Sequence, residues 1–290
     1  MRAFHSFSTK PLLKENYNRK IDEQIDCIIT IATLSCLQAK RLGIELVLHT
    51  DDLGEKMFGF LPYDNIYATL NKNRGHERFW ASGKMLAHEA EPLGSVHFDM
   101  DAIIKKPDLV KLLCESKQDL VVEAHEYYPD VYDYPTNKLI EQVSTFPFLD
   151  MKKYRKHDAL RCGLVKINNQ KLKDMYIKGY WNIHDQFVQS NSQSLNDNMF
   201  TPDIVVEQSY LLNLVVQHNY SLQVIFGHGF AHGERGGFTA KELGWNHFMS
   251  GIKFYLLPRL KEQLKKGKIG YFEKSQQTIK EIIEFVKSKI

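Results

Sequence analysis

Short apolar runs alternate along this chain with longer segments in which apolar residues recur every three or four positions. The runs are typical of buried β-strands and the longer segments of amphipathic helices. The predicted strands cover residues 3–7, 44–49, 66–67, 94–104, 119–124, 160–167 and 222–226. The predicted helices cover residues 21–42, 107–116, 172–189 and 202–218, and another opens within residues 78–87. This alternation predicts an α/β sandwich with a mainly parallel sheet.

Two parts of the chain depart from the alternation. Residues 125–148 are rich in Tyr, Pro, Asp and Asn without a clear period, which predicts a long functional loop. Residues 254–290 are lysine-rich and helical in pattern, with a break at residues 267–270. The apolar stripe of this C-terminal extension comprises Ile279, Ile282, Ile283, Phe285 and Val286. We expect the stripe to pack on the domain; a homodimer through the C-terminal helix and contact with a membrane surface are the alternatives.

The stretch 94–104 places two carboxylates near the end of a run that otherwise suits a buried strand. Because an unpaired charge is costly to bury, Asp99 and Asp101 require compensation. A divalent cation held by hard oxygen ligands is the simplest candidate. The alternative is a strand end that runs into a polar turn.

Composition narrows the class of protein. The 290 residues are 43% hydrophobic and 25% charged, and the formal net charge of +3 is too diffuse to indicate nucleic-acid binding. The four cysteines show no Cys-x-x-Cys spacing and are predicted to be buried free thiols. No apolar run reaches the about 20 residues of a transmembrane helix, and the N-terminus lacks a signal-peptide pattern. We therefore expect a cytoplasmic protein.

Three common catalytic motifs are missing from the sequence. There is no Gly-x-Gly-x-x-Gly, no phosphate-binding P-loop and no Gly-x-Ser-x-Gly nucleophile elbow. Dinucleotide oxidoreductases, P-loop kinases and serine hydrolases therefore lose support.

The segment His97-Phe98-Asp99-Met100-Asp101 resembles the Asp-x-Asp motif of nucleotide-sugar-dependent glycosyltransferases of the GT-A fold. In that family the two aspartates hold Mn²⁺ or Mg²⁺, which binds the diphosphate of the sugar donor. The resemblance implies a Rossmann-like α/β/α sandwich over residues 1–253, with a nucleotide-binding half to about residue 105 and an acceptor half over residues 106–253. It leaves residues 254–290 as the helical extension. Because we expect no membrane anchor, we expect the chain to resemble bacterial members more than the membrane-anchored Golgi members.

A late stretch, Gly244 to Lys253, carries the second part of the resemblance. Its histidine, glycine and lysine, His247, Gly251 and Lys253, resemble an element of retaining, glycogenin-like enzymes. There the histidine is a third metal ligand and the lysine holds the diphosphate. An Asp, Asp, His set suits Mn²⁺ better than Ca²⁺. His232, in a glycine- and histidine-rich loop, is the rival ligand, and a histidine without any ligand role is the other alternative.

Further polar residues lie where the resembled family contacts its substrates. Each of them also has an ordinary structural explanation, such as a capped turn, a surface lysine, a bulge or an acidic residue that complements a helix dipole. The candidates for the nucleotide-sugar are Ser6, Ser8, Thr9, Asp51, Arg78, Lys84 and Gly163. Glu207 is the candidate catalytic residue near the acceptor. Gly163 stands in Arg161-Cys162-Gly163, which keeps the glycine of the family's Asn-x-Gly turn but not its asparagine.

The implied function is metal-dependent transfer of a sugar from a nucleotide-diphosphate donor to a hydroxyl of a glycan or other acceptor. Asp99, Asp101 and His247 would hold the ion, and Lys253 would neutralise charge on the leaving diphosphate. The late histidine and lysine favour a retaining enzyme. A metal-dependent phosphohydrolase or nucleotidyltransferase, and a non-catalytic nucleotide-binding relative, remain the alternatives.

Overall fold

The computed structural model describes residues 1–10, 21–190, 201–226, 239–248 and 252–288. The described strands are β1 (Arg2–Phe7), β2 (Glu45–Thr50), β3 (Asn65–Tyr67), β4 (Val96–Phe98), β5 (Ala102–Ile104), β6 (Leu120–Tyr127), β7 (Asp158–Ile167), β8 (Leu222–Phe226) and β9 (Trp245–His247). The described α-helices are α1 (Ile21–Arg41), α2 (Asp52–Phe58), α3 (Ser82–Ala90), α4 (Pro107–Glu115), α5 (Pro129–Gln142), α6 (Gln170–Gln189), α7 (Tyr210–Gln217), α8 (Ala240–Leu243), α9 (Ile252–Gly267) and α10 (Ile269–Lys287). The fold is a mixed α/β arrangement with a mostly parallel central sheet and C-terminal helices, which confirms the predicted class.

The chain forms two compact units. Unit 1 comprises Met1–Lys72, Phe98–Leu112 and Ala240–Ile290, and unit 2 comprises Asn73–His97 and Leu113–Thr239. The predicted boundary at residue 253 between a catalytic domain and an extension stays a prediction.

In unit 1 the strands β3, β2 and β1 lie side by side in that order, and both pairs are parallel. The middle strand β2 is buried along nearly its whole length, as its apolar sequence predicts. The strands β5 and β9 form a separate antiparallel pair. Helices α1 and α9 share a core with β5, built from Cys27, Ile31, Leu34, Ile103, Leu260 and Leu264.

In unit 2 the strand order is β4, β7, β6 and β8. The pair β6–β8 is parallel, whereas β6–β7 is antiparallel with an irregularity in its ladder. One turn of wider, π-type helix over Ile204–Ser209 precedes α7. The predicted helix over residues 202–218 is therefore present but begins with a different hydrogen-bond pattern.

The structure corrects the predicted single strand over residues 94–104. It contains two strands, β4 and β5, because the carbonyl of Asp99 accepts a 2.9 Å hydrogen bond from the N–H of Ala102 and closes a turn. Met100 is 8% exposed, so the apolar pattern runs through the turn without a break. The two strands have different partners, since β5 pairs with β9.

The structure also corrects the predicted loop over residues 125–148. Strand β6 continues to Tyr127, and α5 follows over Pro129–Gln142. The buried residues of α5 are Tyr132, Pro135, Thr136 and Leu139. They recur at three- and four-residue intervals, so one helix face packs on the core although a proline lies within it.

The C-terminal stripe is largely covered within unit 1. Ile279, Ile282 and Val286 are buried, whereas Phe285 is 37% exposed. This favours the expected packing role, and dimerisation stays a prediction. Among the described helices, none combines the length and apolarity needed to cross a bilayer. All four cysteines are free thiols, but Cys114 is exposed at the end of α4, contrary to the prediction that all are buried.

Candidate metal centre

The turn between β4 and β5 presents the two aspartates from its first and third positions. Their side chains are 23% and 22% exposed for Asp99 and Asp101 respectively. The flanking Phe98 and Ala102 are buried, which anchors both ends of the turn. The carboxylates are thus held at a fixed place but still reach the surface of unit 1.

Strand β9 brings His247 to this turn. In the β5–β9 register His247 lies opposite Ala102 and Trp245 opposite Ile104. Gly244, just before the strand, has a φ of +67°, and a Cβ there would lie 2.9 Å from the backbone nitrogen of Lys106. A glycine is therefore required for β9 to approach β5 so closely. Trp245 is 3% exposed and fixes the strand in the core.

The three side chains converge on one position. Nε2 of His247 lies 3.5 Å from Oδ2 of Asp99 and 3.4 Å from Oδ1 of Asp101. One potential ligand atom from each residue lies within 4.8 Å of the others, and the described residues contain no other such group of three His, Cys, Asp or Glu side chains. Neighbouring ligands of an octahedral ion with bonds of about 2.1 Å are separated by about 3 Å. Two carboxylates and one imidazole therefore fit Mn²⁺ or Mg²⁺ in both spacing and chemistry.

Lys253 lies beside the cluster. It is in the first turn of α9, and its Nζ donates a 2.9 Å hydrogen bond to Oδ2 of Asp101. Burial raises the pKa of Asp101, but the hydrogen bond of His247 and the charge of Lys253 outweigh it, so the pKa lies below its ordinary value. Burial lowers the pKa of Lys253, but the nearby Asp101 outweighs this effect and raises it. Both groups are therefore charged near neutral pH.

Two of the residues predicted near the nucleotide base contact each other in unit 1. Oδ2 of Asp51 accepts a 2.7 Å hydrogen bond from the backbone of Thr9, and Oδ1 accepts from the Thr9 hydroxyl at 2.9 Å. Oδ1 also accepts from the N–H of Gly54 and caps α2. These hydrogen bonds give Asp51 and Thr9 a structural role in capping α2 and holding the residues that follow β1 against it. Ser6 lies within β1 and Ser8 directly after it, and both are half-buried.

Two of the four predicted residues of unit 2 contact each other. Nζ of Lys84 donates a 2.8 Å hydrogen bond to Oε1 of Glu207, and these side chains are 15% and 2% exposed. Arg78 is half-buried ahead of α3. Gly163 lies inside β7, where the ladder to β6 is irregular, which agrees with the alternative of a bulge. The roles predicted for all four residues stay predictions.

Sequence reasoning missed Asp203, which is fully buried in unit 2. Its Oδ2 accepts a 2.6 Å hydrogen bond from the N–H of Ala81, and its Oδ1 accepts from the hydroxyl of Tyr180 at 2.8 Å. Burial raises the pKa of Asp203 well above its ordinary value, and the charge of Glu207 adds to this, against the opposing hydrogen bonds and Lys84. The only sequence feature that could have indicated a role for Asp203 was its position one helical turn before Glu207. Gly251 and His232 lie outside the described residues.

A search of curated proteins gives no match. An inositol-1-phosphate CTP transferase from T. maritima is similar at 13% identity and a TM-score of 0.40, over 90% of this chain and 96% of that one.

Two glycosyltransferase structures are also similar. The galactosyltransferase LgtC, solved with donor and acceptor sugar analogues, has 10% identity and a TM-score of 0.40 over 90% of this chain and 94% of its own. Mouse xyloside xylosyltransferase 1, in its apo form, has 9% identity and a TM-score of 0.34 over 78% and 85%. The model of a family of unknown function, DUF6734, matches residues 4–274, and the chain belongs to that family.

Proposed function

We propose that this chain is a metal-dependent glycosyltransferase with a GT-A-like catalytic fold. It would transfer a sugar from a nucleotide-diphosphate donor to a hydroxyl of a glycan or other acceptor, with retention at the anomeric carbon. The observation that carries the proposal is the convergence of Asp99, Asp101 and His247, with Lys253 in direct contact with Asp101. The resemblance of these residues to a glycosyltransferase element supports the choice of reaction.

The chemistry of the cluster fits this reaction. Asp99, Asp101 and His247 would hold Mn²⁺ or Mg²⁺, which supplies positive charge to the leaving diphosphate. Lys253 adds a fixed cation at the same place, as a point charge for a phosphate oxygen. Its 25% exposure leaves the ammonium group access to solvent and to a ligand.

Glu207 fits a positioning task better than that of a catalytic base. Its carboxylate is 2% exposed and is bonded to Lys84. A general base must reach the proton that it removes, within hydrogen-bond distance or through one water. We therefore infer that Glu207 holds Lys84 in place. Glu207 therefore does not act as a general base. In the retaining mechanism that we propose, the leaving phosphate assists the acceptor instead.

The test is a calorimetric titration of UDP, and then GDP, into the protein with and without Mn²⁺. Wild type and Asp101→Ala are compared with Asp26→Ala as the matched control. Asp26 is also in unit 1, has a 21% exposed side chain and pairs with Lys261, as Asp101 pairs with Lys253. Because loss of outer-shell partners alone costs about 10- to 100-fold in metal affinity, we expect Asp101→Ala to weaken Mn²⁺-dependent nucleotide binding at least about 100-fold. Asp26→Ala should bind like wild type.

Turnover then separates the classes of enzyme. Incubation with UDP- and GDP-sugars should release the nucleoside diphosphate in a Mn²⁺-dependent manner, and Asp101→Ala should release none. Metal-dependent cleavage of simple phosphoesters without release from sugar donors would identify a phosphohydrolase. Metal-dependent nucleotide binding without any turnover would identify a binding protein. Absence of binding to either nucleotide, with or without metal, would overturn the proposal.

A further inference from the structure

A buried chain of polar side chains leads to the metal-centre turn from inside unit 1. Nδ1 of His5, in β1, lies 2.8 Å from the hydroxyl of Tyr63, and its Nε2 lies 3.3 Å from Oγ of Ser35, in α1. Oγ of Ser35 donates a 2.5 Å hydrogen bond to the carbonyl oxygen of Ala102. His5 and Ser35 are 1% and 4% exposed. We call this chain the Tyr63–His5–Ser35 relay.

The direction of each hydrogen bond in the relay follows from the number of available protons. Ser35 has one hydroxyl proton, and the carbonyl of Ala102 can only accept, so that proton lies on the Ser35–Ala102 bond. Nε2 of His5 must then donate to Ser35, which leaves Nδ1 as the acceptor from Tyr63. Burial lowers the pKa of His5 to about 4, against the charges of Asp99 and Asp101, so its ring is neutral and carries the single N–H that this pattern needs.

Ala102 connects the relay to all three candidate metal ligands. It directly follows Asp101, and its N–H closes the turn on the carbonyl of Asp99. It also lies opposite His247 in the β5–β9 register. A displacement of Ala102 therefore moves the backbone that carries every ligand.

We propose that Ser35, oriented by His5, is a positioning residue for the Asp99–Asp101–His247 metal centre. This inference rests on the proposed function, since it requires that the cluster binds a divalent cation. Neither residue offers a ligand atom to the ion, because both act through the carbonyl of Ala102. Partners that fix ligands from behind are typical of metal sites and are commonly worth about 10- to 100-fold in affinity.

The experiment is a titration of the full chain with Mn²⁺, followed by electron paramagnetic resonance of the free ion. Ser35→Ala removes the hydrogen bond to Ala102. Thr33→Val is the matched control, since Thr33 is a fully buried hydroxyl on the same helix whose bond goes to the carbonyl of Ile29. We expect Ser35→Ala to weaken Mn²⁺ binding about 10- to 100-fold and Thr33→Val to leave it unchanged. Melting temperatures without metal should fall by similar amounts in both variants.

Substitutions of His5 give a second, independent arm. Glutamine keeps an N–H that can donate to Ser35, whereas phenylalanine fills the same space without one. We expect His5→Phe to weaken Mn²⁺ binding by at least about tenfold and His5→Gln to restore most of the affinity.

The outcomes separate the two proposals. If wild type binds Mn²⁺ and Ser35→Ala or His5→Phe binds it equally well, the positioning role is wrong and the metal centre stands. If Ser35→Ala does not fold, the His5 pair decides alone. If wild type itself binds no Mn²⁺, the metal centre and this inference both fail.

Discussion

Two clusters of ionisable side chains, one in each unit, differ in how far they reach the solvent. In unit 1, the side chains of Asp99, Asp101 and Lys253 are 22–25% exposed. In unit 2, the side chains of Asp203, Glu207 and Lys84 lie between fully buried and 15% exposed. The first cluster has the access that a cation needs. The second is closed off from the solvent, and its Lys84–Glu207 pair is typical of a buried structural contact.

The largest expected difference between the clusters is in stability. Glu207→Ala removes the carboxylate that accepts the hydrogen bond of Lys84 in the interior of unit 2, and breaking a buried pair costs about 3–5 kcal/mol. Asp99→Ala removes a partly exposed carboxylate close to a like charge, so we expect a change within about 1 kcal/mol. The free energy of unfolding from urea titrations without metal measures both.

A double variant provides the control for this prediction. Replacing both partners, as Lys84→Met with Glu207→Leu, removes the pair without leaving a charge, and should recover part of the stability lost in Glu207→Ala. Equal losses for Glu207→Ala and Asp99→Ala would contradict the distinction between the two clusters.

Individual members of both clusters could be predicted from sequence, but contacts between residues that are distant in the sequence could not. Asp99 and Asp101 stand out because two carboxylates interrupt an apolar run, and His247 was found through its resemblance to a known element. The pairing of Lys84 with Glu207 joins residues 123 positions apart. Each of the two has an ordinary local explanation, as a surface lysine or a helix-terminal acid, so neither position indicates the other.

The missed secondary structure has a related cause. A turn is closed by backbone hydrogen bonds, and the buried Met100 carries the apolar pattern across it, so the sequence indicates one strand instead of β4 and β5. In α5 the periodic positions are occupied by tyrosine, proline and threonine as well as leucine, which hides the period from a count of apolar residues. The strand β8 and the helix α6, whose apolar patterns are simple, agree closely with their predicted ranges.

The second expected effect is a pH dependence that Asp203 adds in unit 2. The pKa of Asp203 is raised, mainly by burial, so between about pH 4 and its native pKa the folded state holds a proton that the unfolded state has lost. The contribution of Asp203 to stability therefore falls as pH rises through this window, by up to about 1.4 kcal/mol per pH unit. Asp203→Asn resembles the protonated acid, because it carries no charge and its amide oxygen can still accept from the N–H of Ala81. The advantage of Asp203→Asn over wild type should grow with pH across the window.

Unfolding free energies of the two proteins at several values of pH from 4 to 8 check this prediction. A difference that does not vary with pH would mean that Asp203 is ionised in the folded protein.

The smallest expected effect separates the role of the Lys253 ammonium group from that of the metal ion, both of which would contact Asp101. Lys253→Gln removes an ammonium group 2.9 Å from a ligand carboxylate, and a unit charge at about 4 Å in water repels another by about 1 kcal/mol. Mn²⁺ alone should therefore bind several-fold more tightly to this variant, whereas UDP in the presence of Mn²⁺ should bind more weakly, because the diphosphate loses a point charge.

Lys261→Gln, which removes the partner of Asp26, should change neither affinity. Calorimetry of both ligands on the three proteins tests the opposite signs. If Lys253→Gln weakens Mn²⁺ and UDP binding together, the lysine supports the shape of the centre instead of contributing charge to its ligand.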